Sequence, residues 1–314
     1  MRSLIVPCAG KRKINDIPLF LNCYPDGKIV GAKAIEGAFP EKYDRVIFTI
    51  LQEDEEKFNA IERLRTETES LNPEFVILKE ETSGPADTIY QTIIEAKIKG
   101  EFAVRDSHAF LKLKDDCHGN FVAGLDLTQY NKTIDNLRSK SFISVNEQGR
   151  ILDIVEKHFS SDIISAGMYG FKSVEDFLSA YKRLKDDSYS IDKLYLSHII
   201  SYLIGYKERI FHCIEVDDFE DWATVSAWNA VQNNHSLNFL NLDEVRVDDE
   251  IKKLLLGMNE IGKEFIGFTN NSDCDEYSGL LESGIIKAVI SNCSKTTKIN
   301  IINSVKQLEN ISIL

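Results

Sequence analysis

The residues with the clearest chemical potential come early. Cys8-Ala9-Gly10 follows the apolar run Leu4-Ile5-Val6-Pro7, and Lys11, Arg12 and Lys13 come directly after it. Small residues let main-chain N–H groups approach an anion closely, and adjacent cations neutralise it. At the end of a first strand this pattern fits a triphosphate, although a plain surface loop can carry the same letters. Thr82-Ser83-Gly84-Pro85-Ala86-Asp87-Thr88 opens a helix. A helix N-terminus binds anions, and Gly84 admits a base or ribose close to the backbone; an ordinary cap by Thr82 or Ser83 is the alternative. Asp106, in Val104-Arg105-Asp106-Ser107-His108, stands at the C-terminal end of a strand. Ligands collect beyond that edge of open α/β sheets, and a carboxylate there can hold Mg²⁺ against phosphate oxygens. Capping of a turn by Asp106 is the plainer alternative. Asp221, in Phe219-Glu220-Asp221-Trp222-Ala223-Thr224, is either a second carboxylate for the same ion or the start of a helix. Lys157, after Glu156 at another strand end, reads as an anion clamp or as half of a solvated charge pair.

These residues need a scaffold, and the hydrophobic patterning supplies one. Strand signals at residues 4–7, 44–50, 74–78 and 102–104 alternate with helical signals at Glu53–Ser70 and Thr88–Ala96. A βαβα rhythm predicts a mostly parallel sheet with helices on both faces. Past Asp106 the strands crowd together at 120–124, 142–145 and 151–155. Asn146-Glu147-Gln148-Gly149-Arg150 between the last two predicts a hairpin and a mixed sheet. Helices are expected at Val174–Leu184 and Ile191–Ile204. Asn233-Asn234-His235-Ser236 is a polar break, and we place a domain boundary there, giving domains 1–235 and 236–314. The second repeats the rhythm on a small scale. Strands are expected at 237–242, 264–268 and 286–290, with helices at 248–261, 274–282 and 294–308.

Bulk properties narrow the function classes. The 314 residues carry a formal net charge of −13, which argues against a nucleic-acid surface but leaves room for a local positive pocket. No apolar run reaches membrane length, and the chain enters its first strand without an apolar leader. The six cysteines are scattered, so neither disulfides nor structural zinc is expected. A protein of the cytoplasm with reduced thiols, and no membrane partner, is the expectation.

In order, these motifs resemble the sugar-phosphate nucleotidyltransferases, the pyrophosphorylases that make nucleotide sugars for capsule and cell-surface polymers. The resemblance covers residues 1–232. It joins Val6-Pro7-Cys8-Ala9-Gly10-Lys11-Arg12, Ser83–Thr88, Asp106, Glu156-Lys157 before Gly167-Met168-Tyr169-Gly170-Phe171, and Asp221-Trp222-Ala223-Thr224. It implies a GT-A-like, Rossmann-like α/β fold and transfer of a nucleoside monophosphate from a triphosphate to a phosphorylated small molecule, with release of pyrophosphate. It implies Ala9, Gly10, Lys11, Arg12, Gly84, Pro85 and Thr88 at the nucleotide. Arg12, Lys11 and Asp106 would act in catalysis, with Mg²⁺ held by Asp106 and Asp221. Glu156, Lys157 and Gly167 would stand at the acceptor, and self-association is a further possibility.

The departures from the pattern define the alternatives. The opening loop is short. Leu19, in Ile17-Pro18-Leu19, stands where the family carries a catalytic Lys, Pro85 where Gln is frequent, and Ala223 where the late motif has Gly. Asp106-Ser107-His108 also resembles the metal triplet of glycosyltransferases with the same core, although a nucleoside diphosphate donor needs less positive charge at the loop. A decayed, nucleotide-binding scaffold is the third alternative. In the tail, Asn238–Val245 and Phe268-Thr269-Asn270-Asn271 resemble the first motifs of haloacid-dehalogenase-type phosphatases, with Asn241 at the nucleophile position. An amide is not a competent nucleophile there, so a truncated module without catalysis is expected.

Overall fold

The computed structural model describes residues 1–14, 16–130, 134–187, 193–234, 237–243, 245–260, 264–269, 277–291 and 301–302. Contacts divide the chain into two compact units, Met1–Trp228 and Asn229–Leu314. The polar break near residue 235 therefore falls inside the second unit, because the helix Val225–Asn234 begins in the first.

In the first unit, β1 (Arg2–Pro7) is followed by a short ribbon of β2 (Lys13–Ile14) and β3 (Ile17–Pro18). Then come β4 (Arg45–Leu51), β5 (Glu74–Leu78), β6 (Glu101–Arg105), β7 (Ala109–Leu113) and β8 (Phe121–Asp126). The hairpin β9 (Ser141–Val145) and β10 (Ile151–Glu156) precedes β11 (Ile163–Phe171) and β12 (His212–Asp221). The main sheet runs β5-β4-β1-β6-β11-β8-β12-β7, with the hairpin attached through β9 to β11. The β5-β4-β1-β6 half is parallel, and antiparallel pairs enter from β11 onward.

Alternation along β1 shows why Leu4-Ile5-Val6 is apolar without a break. Leu4 and Val6 point into one core, with Phe48, Ala60 and Leu64; Ile5 points into the other, with Ile89, Ile93, Phe177 and Ile199. Helices thus cover both faces, as buried parallel strands require. The sheet and the hairpin follow the sequence expectation, and Asn146 accepts main-chain bonds from Gln148 and Arg150 across the turn.

Some elements differ. The single helix expected over Glu53–Ser70 is two, Gln52–Phe58 and Ala60–Glu67, parted by Asn59 in a left-handed conformation at φ +52°. Asparagine tolerates that conformation better than most residues. The helix Pro85–Glu95 starts earlier than expected, directly after Gly84. The helix expected from Ile191 begins at Leu196, and residues 188–192 lie outside the described set. Strands β7 and β12 had no expectation. Both are half-exposed and polar in part, and they pair antiparallel with each other while β12 runs parallel to β8.

The second unit is a parallel sheet in the order β15-β14-β13-β16, formed by β13 (Leu237–Asn241), β14 (Glu264–Thr269), β15 (Ala288–Ser291) and β16 (Ile301–Ile302). Leu240, Leu255, Met258 and Phe265 form its core with the helix Asp249–Glu260. Ile301–Ile302 is strand where a helix over 294–308 was expected; the rest of that span lies outside the described residues. So do Cys274, Cys293 and Asn270-Asn271, and the helix there covers Ser278–Glu282.

Candidate active site

Strand order decides where a ligand can sit. β4 lies on one side of β1 and β6 on the other, so connections leaving β1 and β6 diverge and open a crevice at their C-terminal ends. A cleft of about 620 Å³ occupies that place, within the range of ligand pockets. It is lined by Ala9, Gly10, Lys11 and Arg12 of the opening loop, by Gly84, Pro85 and Thr88 at the helix start, and by Asp106 and His108. The structure therefore brings together every residue expected at the nucleotide.

The opening loop is pinned at both ends. The Cys8 N–H donates to the Thr49 carbonyl at 2.8 Å, and the Leu19 N–H to the Arg12 carbonyl at 2.8 Å. The Ser107 hydroxyl donates to the Pro7 carbonyl at 2.8 Å, tying the loop to the Asp106 turn. Burial pushes the Cys8 thiol up to about 12, which leaves it protonated and inert. A Cβ on Gly10 would meet no protein atom within 4 Å, so the fold leaves the loop face open. The three cations diverge. Lys11 Nζ lies 2.6 Å from the Glu81 carboxylate and Lys13 Nζ 3.3 Å from Glu53. Arg12 instead acts electrostatically on Asp106 and His108 inside the cleft.

At the helix start, Gly84 has an extended backbone and no side-chain cap. The Asp87 carboxylate reaches back to the Ser83 N–H and hydroxyl, and also accepts from Tyr181. A Cβ on Gly84 would stand 3.1 Å from the Leu194 carbonyl oxygen, so the passing segment packs closely against this glycine. That segment brings Lys193 and Tyr195 into the cleft wall. Sequence reading missed both, because neither belongs to a recognisable spacing.

Asp106 is half-buried, and its main-chain N–H donates to the Gly167 carbonyl at 2.8 Å. Burial raises its carboxyl pKa, against the opposing pull of Arg105, Arg12 and Lys140. Burial, then the same cations, pushes His108 well below its ordinary value, so it is neutral near pH 7. Beneath them Arg105 is fully buried, donating to the carbonyls of Ala34, Ala166, Gly167 and Ala109. Gly167 has φ +78°, and a Cβ there would come within 2.7 Å of Asp106 Oδ2. Gly167 thus seats Asp106 and is absent from the cleft wall.

The acceptor-side residues reach the cleft indirectly. Lys157, in a left-handed bend at φ +56°, donates to the Tyr195 hydroxyl at 2.5 Å. Glu156 accepts from the Ser141 and Ser197 hydroxyls at 2.5 and 2.6 Å. Asp221 is drawn toward the Asp106 turn, since the Trp222 N–H donates to the His108 carbonyl at 3.0 Å. Its carboxylate is nearly closed to solvent, with one oxygen 2.5 Å from Lys140 Nζ and the other accepting from the Ala223 N–H at 3.1 Å. Among the described residues no group of three or more His, Cys, Asp or Glu side chains could hold a metal ion. Leu19 is buried in the cleft wall.

No family model matches the sequence, and no curated protein matches it. Solved structures do. The chain is similar to a nucleoside-diphosphate-sugar pyrophosphorylase from Vibrio cholerae RC9, at 15% identity and a TM-score of 0.60, over 74% of this chain and 99% of that one. It is similar to the CTP:phosphocholine cytidylyltransferase from Streptococcus pneumoniae, at 13% identity and a TM-score of 0.56, over 74% and 97%. The inositol-1-phosphate CTP transferase from T. maritima aligns at 14% identity and a TM-score of 0.54, over 72% and 91%. At these identities the likeness is one of fold, a mixed, mostly parallel α/β fold of Rossmann-like type.

Proposed function

We propose that the cleft of the first unit transfers a nucleoside monophosphate from a triphosphate to a phosphorylated small molecule. The observation that carries this is the meeting of Ala9–Arg12, Gly84–Thr88 and Asp106 on one crevice at the β1/β6 divergence. The kinds of enzyme that share the fold support it. The triphosphate lies with its base and ribose toward Gly84, Pro85 and Thr88, and its β- and γ-phosphates on the loop N–H groups and Arg12. An oxygen of the acceptor phosphate attacks the α-phosphorus in line. The bond from that phosphorus to the bridging oxygen breaks, and pyrophosphate leaves with both bonding electrons.

Such transfers depend on positioning and on charge neutralisation rather than on a protein nucleophile. The Arg12 guanidinium forks onto two phosphate oxygens, which a lysine cannot copy. Lys157, held on Tyr195 at the cleft rim, receives the acceptor phosphate, with Glu156 fixing the end of β10. The half-buried Asp106 is the carboxylate that would hold Mg²⁺ arriving with the triphosphate. Such an ion usually needs only one or two carboxylates besides phosphate oxygens. When bound, it neutralises phosphate charge. We place the reaction in the cytoplasm, where triphosphates are made, and its product among the nucleotide-linked precursors of surface polymers.

The test is a screen of CTP, UTP, dTTP and GTP, each labelled at the α-phosphorus, against sugar 1-phosphates, phosphocholine and inositol 1-phosphate. Label in the acceptor together with pyrophosphate supports the proposal. Release of a nucleoside diphosphate from a nucleotide sugar would favour the glycosyltransferase reading instead. Tight triphosphate binding without transfer would assign a binding role, which the apolar Leu19 in the wall favours.

A further inference from the structure

Lys140 belongs to no motif, yet its charge acts on both Asp106 and His108. It precedes β9, and its side chain is 12% exposed. Its Nζ lies 2.5 Å from Asp221 Oδ2. Its main-chain carbonyl accepts from the Lys157 N–H at 3.0 Å. The second Asp221 oxygen accepts from the Ala223 N–H, so both oxygens of that carboxylate are engaged within the protein. A divalent ion at Asp221 would have to displace a nearly buried ammonium and stand beside it, and like charges in a low-dielectric site repel strongly.

We propose that Lys140 is a built-in counter-ion that supplies at Asp221 the positive charge a metal would otherwise bring, leaving Asp106, of these two carboxylates, available to a divalent ion. The pair is a positioning device. Asp221 orients Lys140, and the Lys140 main chain fixes the bend that presents Lys157 to the acceptor. The inference rests on the nucleotidyl-transfer reading of the cleft, but its test does not need turnover.

Mn²⁺ alone is titrated into the full chain and followed by electron paramagnetic resonance. Wild type should bind it weakly. Lys140→Met uncovers Asp221, whose neighbour Trp222 is bonded to the His108 carbonyl of the Asp106 turn, and should tighten binding at least about tenfold, because a second carboxylate joins the ion. Lys140→Met/Asp221→Asn, which removes both charges and leaves neither buried alone, should return to the wild-type affinity within about twofold. Asp106→Asn should abolish binding. The inference is overturned if the double variant binds at least about tenfold more weakly than wild type, since Asp221 would then be a ligand. A folded Lys140→Met with no gain overturns it equally. If that single variant does not fold, the double variant decides alone. Loss of transfer activity with this Mn²⁺ pattern intact would count against the proposed function and not against the counter-ion.

Discussion

Lys11, Arg12 and Lys13 are adjacent in sequence but meet different surroundings, Glu81, the cleft interior and Glu53 respectively. Arg12→Ala should therefore lower kcat by about 10²-fold or more, the scale for losing one donor to developing charge. Arg12→Lys should fall between, and Lys13→Ala should change little; steady-state pyrophosphate release ranks them. A critical Lys13 beside a dispensable Arg12 would mean the loop is oriented otherwise. Asp106 makes a second residue-scale case. Its folded-state pKa is raised, so the folded protein holds that proton more tightly than the unfolded chain. The stability this gives is present at low pH and lost as pH rises through the raised value, so ionised Asp106 weighs against the fold at neutral pH. Asp106→Asn should abolish transfer yet melt at or above the wild-type temperature, and a clear fall in melting temperature would contradict this. The loop, Gly84–Thr88 and Asp106 were legible in the sequence because each sits at a strand end or helix start with a recognisable residue pattern. Lys140, Lys193 and Tyr195 were not, because single residues carry no spacing and only the crossing of distant segments brings them in.

Elements were legible where burial imposes a period. β1 and β4 are buried on both faces and read as mainly apolar runs, Leu4–Val6 and Val46–Phe48 among them. The β9–β10 hairpin shows its polar turn. β12 escaped because its burial is irregular along ten residues, and Asn59 hid a helix break inside an unbroken charged pattern. The β11 segment offers the sharpest test at this scale. Gly167 combines φ +78° with a Cβ position 2.7 Å from Asp106 Oδ2. Gly167→Ala should destabilise the fold by roughly 1–3 kcal/mol, through the left-handed conformation and the displaced carboxylate. Its effect on kcat should exceed its effect on the KM of either substrate. Urea unfolding and steady-state kinetics check the two halves, and an Ala variant with wild-type stability and kcat would mean Asp106 does not depend on that seat.

At the scale of the whole chain, the sequence reading places a boundary at the polar break near residue 235, whereas the compact division falls at Trp228, within the helix Val225–Asn234. In the second unit the ends of β13 and β14 bring Asn241, Asp243 and Thr269 together, with the Thr269 hydroxyl on the Asp243 carboxylate and the Asp243 N–H on Asn241 Oδ1. With an amide at Asn241 we predict no hydrolysis of generic phosphate esters by the full chain in the presence of Mg²⁺. Turnover above background that disappears in Asn241→Ala would reverse that. The proposed chemistry lies in the cleft of the first unit, and its most direct measurement is stoichiometric. With the responding triphosphate and acceptor, pyrophosphate and nucleotide-linked product should form one for one, and both should be lost together in Arg12→Ala. Product without pyrophosphate, or equal rates in Arg12→Ala and wild type, would contradict nucleotidyl transfer at this cleft.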